Sequence, residues 1–318
     1  MARPLLRIGT RGSALALAQA AELRQRLAQA HAELAAPEAI ETVTIRTTGD
    51  RIADRSLATL GGKGLFTKEL EEALIAGTID CAVHSAKDLP SQLPPGLVLA
   101  CHLPREDPRD AFFSLKAPSL ADLPPGAVVG TSSPRRHAQV LHARPDLRVV
   151  PLRGNVDTRL AKLAAGAIDA TLLAVAGVKR LGMADRITRI MPAEEILPAV
   201  AQGAIGIESR AGDARVRGYL DALDDRATAA CVTAERAVMA AIEGSCRTPM
   251  AALAELGGDG LLTLRALIIR PDGSECLTAA RRGAASQAAM LGSAAGEELR
   301  RRGGPGFFDV PAIDEKPV

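Results

Sequence analysis

The sequence has 318 residues, enough for two or three domains with their own cores, and a formal net charge of +2. A near-balanced chain with five Phe, one Tyr and no Trp lacks the stacking platforms on which single-stranded nucleic acid binding rests. Five cysteines without a CxxC pair, and five scattered histidines, offer neither a disulfide framework nor a zinc site, so no metal is expected. MARPLLRIGT has no long apolar run and no segment approaches a membrane span, so the expectation is a cytoplasmic protein without a membrane partner.

In chain order, Leu5–Gly9 reads as a strand, followed by the turn Thr10-Arg11-Gly12-Ser13 and a helix, ALALAQAAELRQRLAQA, with apolar residues at helical spacing. Glu41–Arg46 alternates as a second strand. Gly49–Gly64 is polar and ends in GGKG, which suggests a mobile loop. Leu65–Ala76 is an amphipathic helix, and Ile79–His84 a buried strand that runs into Ser85-Ala86-Lys87-Asp88-Leu89-Pro90. The charged segment Pro104–Arg109 (PREDPR) has the composition of a linker. Beyond it, Ala127–Gly130 is apolar, Thr131, Ser132 and Ser133 can cap a helix, and Pro134 suits its first turn. Arg135 and Arg136 then fall at the positive end of that helix. Val149–Leu152, the turn Arg153-Gly154-Asn155 and a helix carrying Arg159 repeat the logic.

Pro192–Gly203 reads as a second crossing between lobes, with AIGIES as a strand after it. A new unit starts near Ala227 with the helix TAACVTAERAVMAAIEG, closed by Gly244. LLTLRALIIRPDGSECLTAARRG predicts a hairpin around Pro271-Asp272-Gly273, and a helix follows near Ala285–Arg301. The end, GGPGFFDVPAIDEKPV, reads as a loosely held tail.

An internal echo organises the first two hundred residues. Ile8-Gly9-Thr10 matches Val129-Gly130-Thr131, and Ala76-Gly77-Thr78-Ile79-Asp80 matches Ala165-Gly166-Ala167-Ile168-Asp169. Two βα lobes of one design, facing each other across a cleft, account for this; chance in an Ala- and Gly-rich chain is the alternative. The expected domains are residues 1–103 with 204–221, residues 109–197, and a C-terminal α+β domain over 226–318. A double crossover between the lobes permits hinge motion.

The polar loops share one chemistry. Arg11 and Ser13, Lys87 and Asp88, Ser133, Arg135 and Arg136, Arg153, Arg159, and Lys179 and Arg180 all fall at or just after predicted strand ends. In open α/β sheets such loops bind ligands, and guanidinium groups beside free N–H groups and hydroxyls suit an anion. A solvated basic surface is the bland alternative. Asp88 is the lone carboxylate among these cations: either an ion-pair partner, or an ionised group that stabilises developing positive charge. No GxxxxGK[ST] and no GxGxxG follows a strand, which leaves nucleotide binding without support. Cys81, Cys101, Cys231 and Cys276 lie in apolar contexts, whereas Cys246 lies in a loop-forming GSCRTP, beside an arginine that favours a thiolate.

The ordered segments LRIGTRGSALALAQA, GGKGLFTKELEEAL, AVHSAKDLP, REDPRDAF, VGTSSPRR, LRGNVDTRLAKL, LAVAGVKRLG, LPAVAQGAIGIE and TAERAVMAAIEGSC closely resemble the hydroxymethylbilane synthase (porphobilinogen deaminase) family, almost continuously from Leu6 to Cys246. The resemblance implies two lobes arranged like a type II periplasmic binding protein plus a small C-terminal domain. It implies a transferase of heme and tetrapyrrole biosynthesis that joins four porphobilinogen molecules head to tail with loss of ammonia, then frees hydroxymethylbilane by hydrolysis. It also implies a dipyrromethane cofactor held by a thioether to Cys246, and a monomer. By the same resemblance Asp88 is catalytic, and Lys87, Ser133, Arg135, Arg136, Asn155 and Arg159 hold the cofactor. Arg11, Ser13, Arg153, Arg180 and Gln202 then bind substrate. Ser245, in place of the family's usual Gly, and the following Arg247-Thr248-Pro249 depart from the pattern near the cysteine. The rivals are a cytoplasmic two-lobed binding protein for a small polycarboxylate, and an RNA-binding protein that uses the arginine loops.

Overall fold

A computed structural model describes residues 4–51, 66–243 and 248–309. The chain opens with β1 (Leu6–Thr10), α1 (Ala14–Ala30), β2 (Ile40–Thr44), the single turn α2 (Thr48–Arg51), α3 (Lys68–Ile75), β3 (Cys81–Ser85) and β4 (Leu97–His102). Next come β5 (Asp110–Ser114), β6 (Val128–Gly130), α4 (Pro134–Ala143), β7 (Arg148–Val150), α5 (Val156–Ala164), β8 (Ala170–Ala174), α6 (Val175–Arg180) and β9 (Arg189–Ile190). The remainder is β10 (Ile205–Arg210), α7 (Ala214–Asp221), α8 (Arg226–Ala241), β11 (Met250–Leu256), β12 (Leu261–Ile269), β13 (Cys276–Ala284) and α9 (Ala288–Gly303).

These elements form two compact units, residues 1–106 with 203–229, and residues 107–202 with 230–318. The first unit holds a five-stranded sheet in the order β2-β1-β3-β10-β4, and the second one in the order β7-β6-β8-β5-β9. The pattern is the same in both. Three parallel strands are followed by one antiparallel strand inserted between the third and the last. In each sheet the inserted strand is the first one after a crossing between units: β10 after residue 203, and β5 after residue 107. Each sheet thus has the mixed α/β topology of a type II periplasmic-binding-protein lobe. A three-stranded antiparallel sheet, β11-β12-β13, lies within the second unit.

Helices cover both faces of each large sheet, so the inner strands are apolar on both sides. In β5, Phe112 packs with Val129, Val140 and Leu172, while its neighbours Ala111 and Phe113 turn to Leu160, Leu163 and Val178 on the other face. Phe112 is fully buried, which contributes on the order of 1.5–3 kcal/mol. The first unit repeats the scheme, with Leu23, Leu27 and Val216 against Ile205 and Ile207, and Leu70 and Leu74 against Ile79.

The sequence echo has a physical basis in contacts. A Cβ on Gly9 would lie 2.3 Å from Ile79 Cδ1, and one on Gly130 would lie 2.8 Å from Ile168 Cδ1. Both glycines make room for the isoleucine of the matching motif. The aspartate after each isoleucine then accepts a backbone N–H from the strand that carries the glycine. Arg7 N donates to Asp80 at 2.8 Å, and Val128 N donates to Asp169 at 2.7 Å.

Several details differ from the sequence reading. Strand β8 stops at Ala174 and the next six residues are helical, so Lys179 and Arg180 stand on the last turn of α6 rather than in a strand-end loop. The start of the tail is docked, because Phe307 is buried under the Arg270 guanidinium, 4.8 Å from its ring centre. The GGKG segment, Gly244, Cys246 and residues 310–318 lie outside the described residues.

Helices α8 and α9 meet through small residues. A Cβ on Gly292 would lie 2.1 Å from the Ala234 carbonyl oxygen, and one on Gly296 would lie 2.7 Å from the Val238 carbonyl oxygen. Gly292→Ala therefore forces the helix backbones apart. The expected cost is about 1–3 kcal/mol or more, read as a lower urea midpoint; an unchanged midpoint would show that the helices separate freely.

Candidate functional site

Each unit carries part of the chemistry predicted from sequence. In the second unit, Ser133 caps α4, its hydroxyl accepting Arg136 N at 3.4 Å, with Pro134 at the first position. This start fixes the direction of the two side chains that follow. Arg135 and Arg136 both turn inward onto Asp110, which is fully buried at the start of β5. Arg135 Nη2 lies 2.8 Å from Asp110 Oδ2, and Arg136 Nη2 lies 2.7 Å from Oδ1. Gln202 Nε2 donates to the same Oδ1 at 2.8 Å, and Arg135 Nη1 donates to the Leu197 carbonyl at 2.8 Å. Burial alone would raise the Asp110 carboxyl, but the two guanidiniums overcome it and hold it well below the usual carboxylate range.

Two cations on one carboxylate leave the group with an excess of positive charge. The Nε atoms of Arg135 and Arg136 are buried and, among the described residues, have no acceptor. On the next turn Asn155 caps α5, accepting Thr158 N at 2.9 Å, and Arg159 Nε donates to the Gly154 carbonyl at 2.8 Å. Burial, then the charges of Arg136 and Arg153, push the Arg159 guanidinium down to about 10. It stays charged near neutral pH, crowded by its own kind. Such a cluster suits a ligand with several carboxylates.

In the first unit, Arg11, Ser13, His84, Ser85 and Asp88 line one small pocket of about 50 Å³ with Gln19 and Phe66. Ser13 caps α1 and accepts Ala16 N at 3.2 Å. The Arg11 guanidinium lies 4.3 Å from the centre of the Phe66 ring, a cation–π contact that limits its swing. Gln19 Nε2 donates to Ser85 Oγ at 2.8 Å, which ties α1 to the end of β3. Asp88 ends the 3-10 turn Ala86–Asp88 that follows β3, and it is exposed. Among the described residues no ion pair or hydrogen bond engages its carboxylate. Lys87, half-buried, precedes it on the same turn.

The structure thus gathers Arg135, Arg136 and Gln202 on one carboxylate, sets Arg159 near Arg136 and Arg153, and places Arg11, Ser13 and Asp88 in one pocket. Arg180 is half-buried on α6, and Cys246 lies outside the described residues. Sequence reasoning missed Asp110, which organises the arginine pair. Its one signal was position: an acid that opens an apolar AFF run just past the linker. It also missed Phe66 and the buried pair His84 and Glu208, 3.1 Å apart.

Comparison with known proteins gives one family over nearly the whole chain. The family model "Porphobilinogen deaminase, dipyromethane cofactor binding domain" matches residues 6–218, and "Porphobilinogen deaminase, C-terminal domain" matches residues 229–301. A porphobilinogen deaminase of Nitrobacter hamburgensis is 57% identical over 96% of this chain and 96% of its own. The Paracoccus denitrificans protein of that name is 56% identical, again over 96% of both chains. The chloroplastic form of Oryza sativa subsp. japonica is 53% identical over 96% of this chain and 86% of its own. Among solved structures, the methionine-binding protein MetQ aligns over 69% of this chain and 89% of its own, at 17% identity and a TM-score of 0.41.

Asp110→Asn removes the negative charge that faces two buried guanidiniums. Leaving buried charge uncompensated is expected to cost about 3–5 kcal/mol, measurable by urea unfolding. Because the native carboxyl titrates below its unfolded value of about 3.9, its contribution is complete above that pH and is lost as pH falls through the native value. The gap between variant and wild type should therefore narrow only in acid. A variant as stable as wild type at neutral pH would show that the pair is matched elsewhere.

Proposed function

The chain belongs to the porphobilinogen deaminase family, and we propose that Asp88 carries its chemistry while the arginines of its loops hold the carboxylates of its substrate. The family's reaction joins four porphobilinogen molecules head to tail with release of ammonia, and hydrolysis then frees hydroxymethylbilane. The binding-protein alternative is not favoured, since relatives at more than half identity carry the name of a deaminase.

The observation that supports these roles is the charge imbalance of the second unit. Porphobilinogen carries two carboxylates, so a dipyrrole made from it carries four. Buried Nε atoms on Arg135 and Arg136 without acceptors among the described residues, and an Arg159 destabilised by neighbouring cations, fit such a group. Arg135, Arg136 and Arg159, with Lys87, Ser133 and Asn155, would hold a dipyrromethane cofactor. When bound, that cofactor supplies the free pyrrole carbon to which the first substrate is joined. Cys246 is the proposed point of attachment through a thioether. Arg11, Ser13, Arg153, Arg180 and Gln202 are assigned to substrate; Gln202 would act through Asp110, onto which it donates.

Asp88 has a distinct task. Departure of ammonia leaves an electron-poor cation on the substrate, and a fixed carboxylate nearby stabilises it as it forms. Its exposure at a strand end, without an ion pair among the described residues, supports that role over the ion-pair alternative. Three domains (1–103 with 204–221, 109–197 and 226–318), a monomeric state, a cytoplasmic location and the absence of nucleic acid or membrane partners complete the reading. Among the described residues, no helix is long and apolar enough to cross a membrane.

Two substitutions test the assignment. Cys246→Ser should fold yet lack the mass of a dipyrrole adduct and make no bilane; an adduct retained in that variant would move the attachment elsewhere. Asp88→Asn, checked by mass for cofactor content, should lower turnover on the order of 10²–10³ and weaken substrate binding far less. Turnover within a few-fold of wild type would return Asp88 to a surface role.

A further inference from the structure

Behind the Asp88 pocket, the first unit seals three ionisable side chains to which the roles above give no task. Glu71 on α3, His84 on β3 and Glu208 on β10 are 8%, 5% and 0% exposed. His84 Nε2 lies 3.1 Å from Glu208 Oε2. Among the described residues, neither oxygen of Glu208 nor Oε1 of Glu71 takes a hydrogen bond.

Two other buried carboxylates, Glu235 and Asp80, differ in this. Glu235 accepts Ala201 N at 2.6 Å and Ala254 N at 2.8 Å, and Asp80 accepts both the backbone and the guanidinium of Arg7. A carboxylate buried for structure is normally saturated with donors, because each bare oxygen forgoes its hydration. Glu208 instead has a neighbour that can gain or lose a proton. Burial raises the Glu71 carboxyl above its ordinary range, and the charge of Glu208 adds to that. With both carboxylates ionised and the imidazole neutral the cluster carries two negative charges, and a proton on the imidazole reduces them to one.

His84 is the member of the cluster that lines the pocket with Asp88. The charged and titratable groups that face it are Glu71 from α3, Glu208 from β10, Arg11 from the turn before α1, and Asp88 from the turn after its own strand. Helix α1 offers the neutral Gln19. Given the family reaction, on which this inference rests, each condensation breaks a C–H bond on the accepting pyrrole. The electron pair returns to the ring, and the proton has to leave the pocket and end on ammonia or water before the next cycle.

We propose that His84, Glu208 and Glu71 form a proton relay for the Asp88 pocket, with the imidazole as its pocket-side end. The neutral imidazole takes up the proton released by condensation, Glu208 stabilises the resulting imidazolium, and the proton passes on to ammonia or water. The cluster is unchanged after each cycle.

The test is the pH dependence of ammonia release by cofactor-loaded enzyme. A relay that starts from a neutral imidazole gives a rate that rises with pH along an acid limb. A carboxylate beside an imidazole favours its charged form, so Glu208→Gln should move that limb to lower pH. Glu71→Gln should move it in the same direction by less. His84→Gln should abolish the limb and slow turnover on the order of 10²-fold with KM within a few-fold. A uniform loss of rate in Glu208→Gln, with the limb unmoved, would mean that the pair only supports the fold. Should Glu208→Gln not fold, wild-type enzyme labelled with ¹⁵N-histidine decides: His84 must titrate along the acid limb, and an imidazole that keeps one form through it overturns the relay. Failure of wild type to make bilane from porphobilinogen would overturn the family reading itself, a result distinct from an unmoved limb.

Discussion

A carboxylate that has lost all contact with water needs positive charge or hydrogen-bond donors within a few ångströms, and in this chain Asp110 has two guanidiniums. Its two oxygens draw Arg135 and Arg136 inward from the first turn of α4, and Gln202 adds a third donor from the segment that leads back to the first unit. That arrangement decides where the second unit keeps its surplus of positive charge. It also fixes the segment before β10: Ala201 is held at a φ of 58°, a conformation unusual for a residue with a Cβ, and its N–H is claimed by Glu235. Glu235 binds β11 through Ala254 with its other oxygen. One carboxylate thus orders the arginines, and a second orders the segment that presents Gln202 to the first.

The two large sheets solve the same packing problem with the same residues. A glycine at or next to the end of β1 and of β6 makes room for an isoleucine, and the aspartate after that isoleucine binds the backbone of the same strand. These positions carried the echo visible in the sequence, so the lobed architecture was legible without a structure. Helix starts were legible for a related reason. Ser13 and Ser133 satisfy the backbone N–H groups at residues 16 and 136, and a capping requirement of that kind is local. The loops at strand ends could be read as an anion site because arginine beside Gly, Ser and Asn sets fixed positive charge next to free backbone N–H groups and hydroxyls.

What escaped the sequence was decided by distant partners. Strand β11, MAALAEL, is built from residues that favour a helix, and pairing with β12 along seven residues overrides that preference. Strand β5 follows the linker so closely that only its place between β8 and β9 identifies it. Asp110 and Glu208 look like any other acid in the chain. Their importance lies in burial, which no local pattern reports. Phe307 was assigned to a loose tail because Gly and Pro surround it, yet the Arg270 guanidinium and a buried site hold it.

The insertion of β10 between β3 and β4 also sets an order of events during synthesis. The strands of the second sheet lie within residues 110–190, one continuous stretch of chain. The first sheet cannot close until Ile205–Arg210 has been made, since that strand supplies the partner for both β3 and β4. The segment that leaves the ribosome first is therefore the last of the two sheets to be completed, and two strand edges in it wait unpaired while its counterpart folds. For that interval the nascent chain exposes β3 and β4 as templates for other chains, a hazard set by topology rather than by composition.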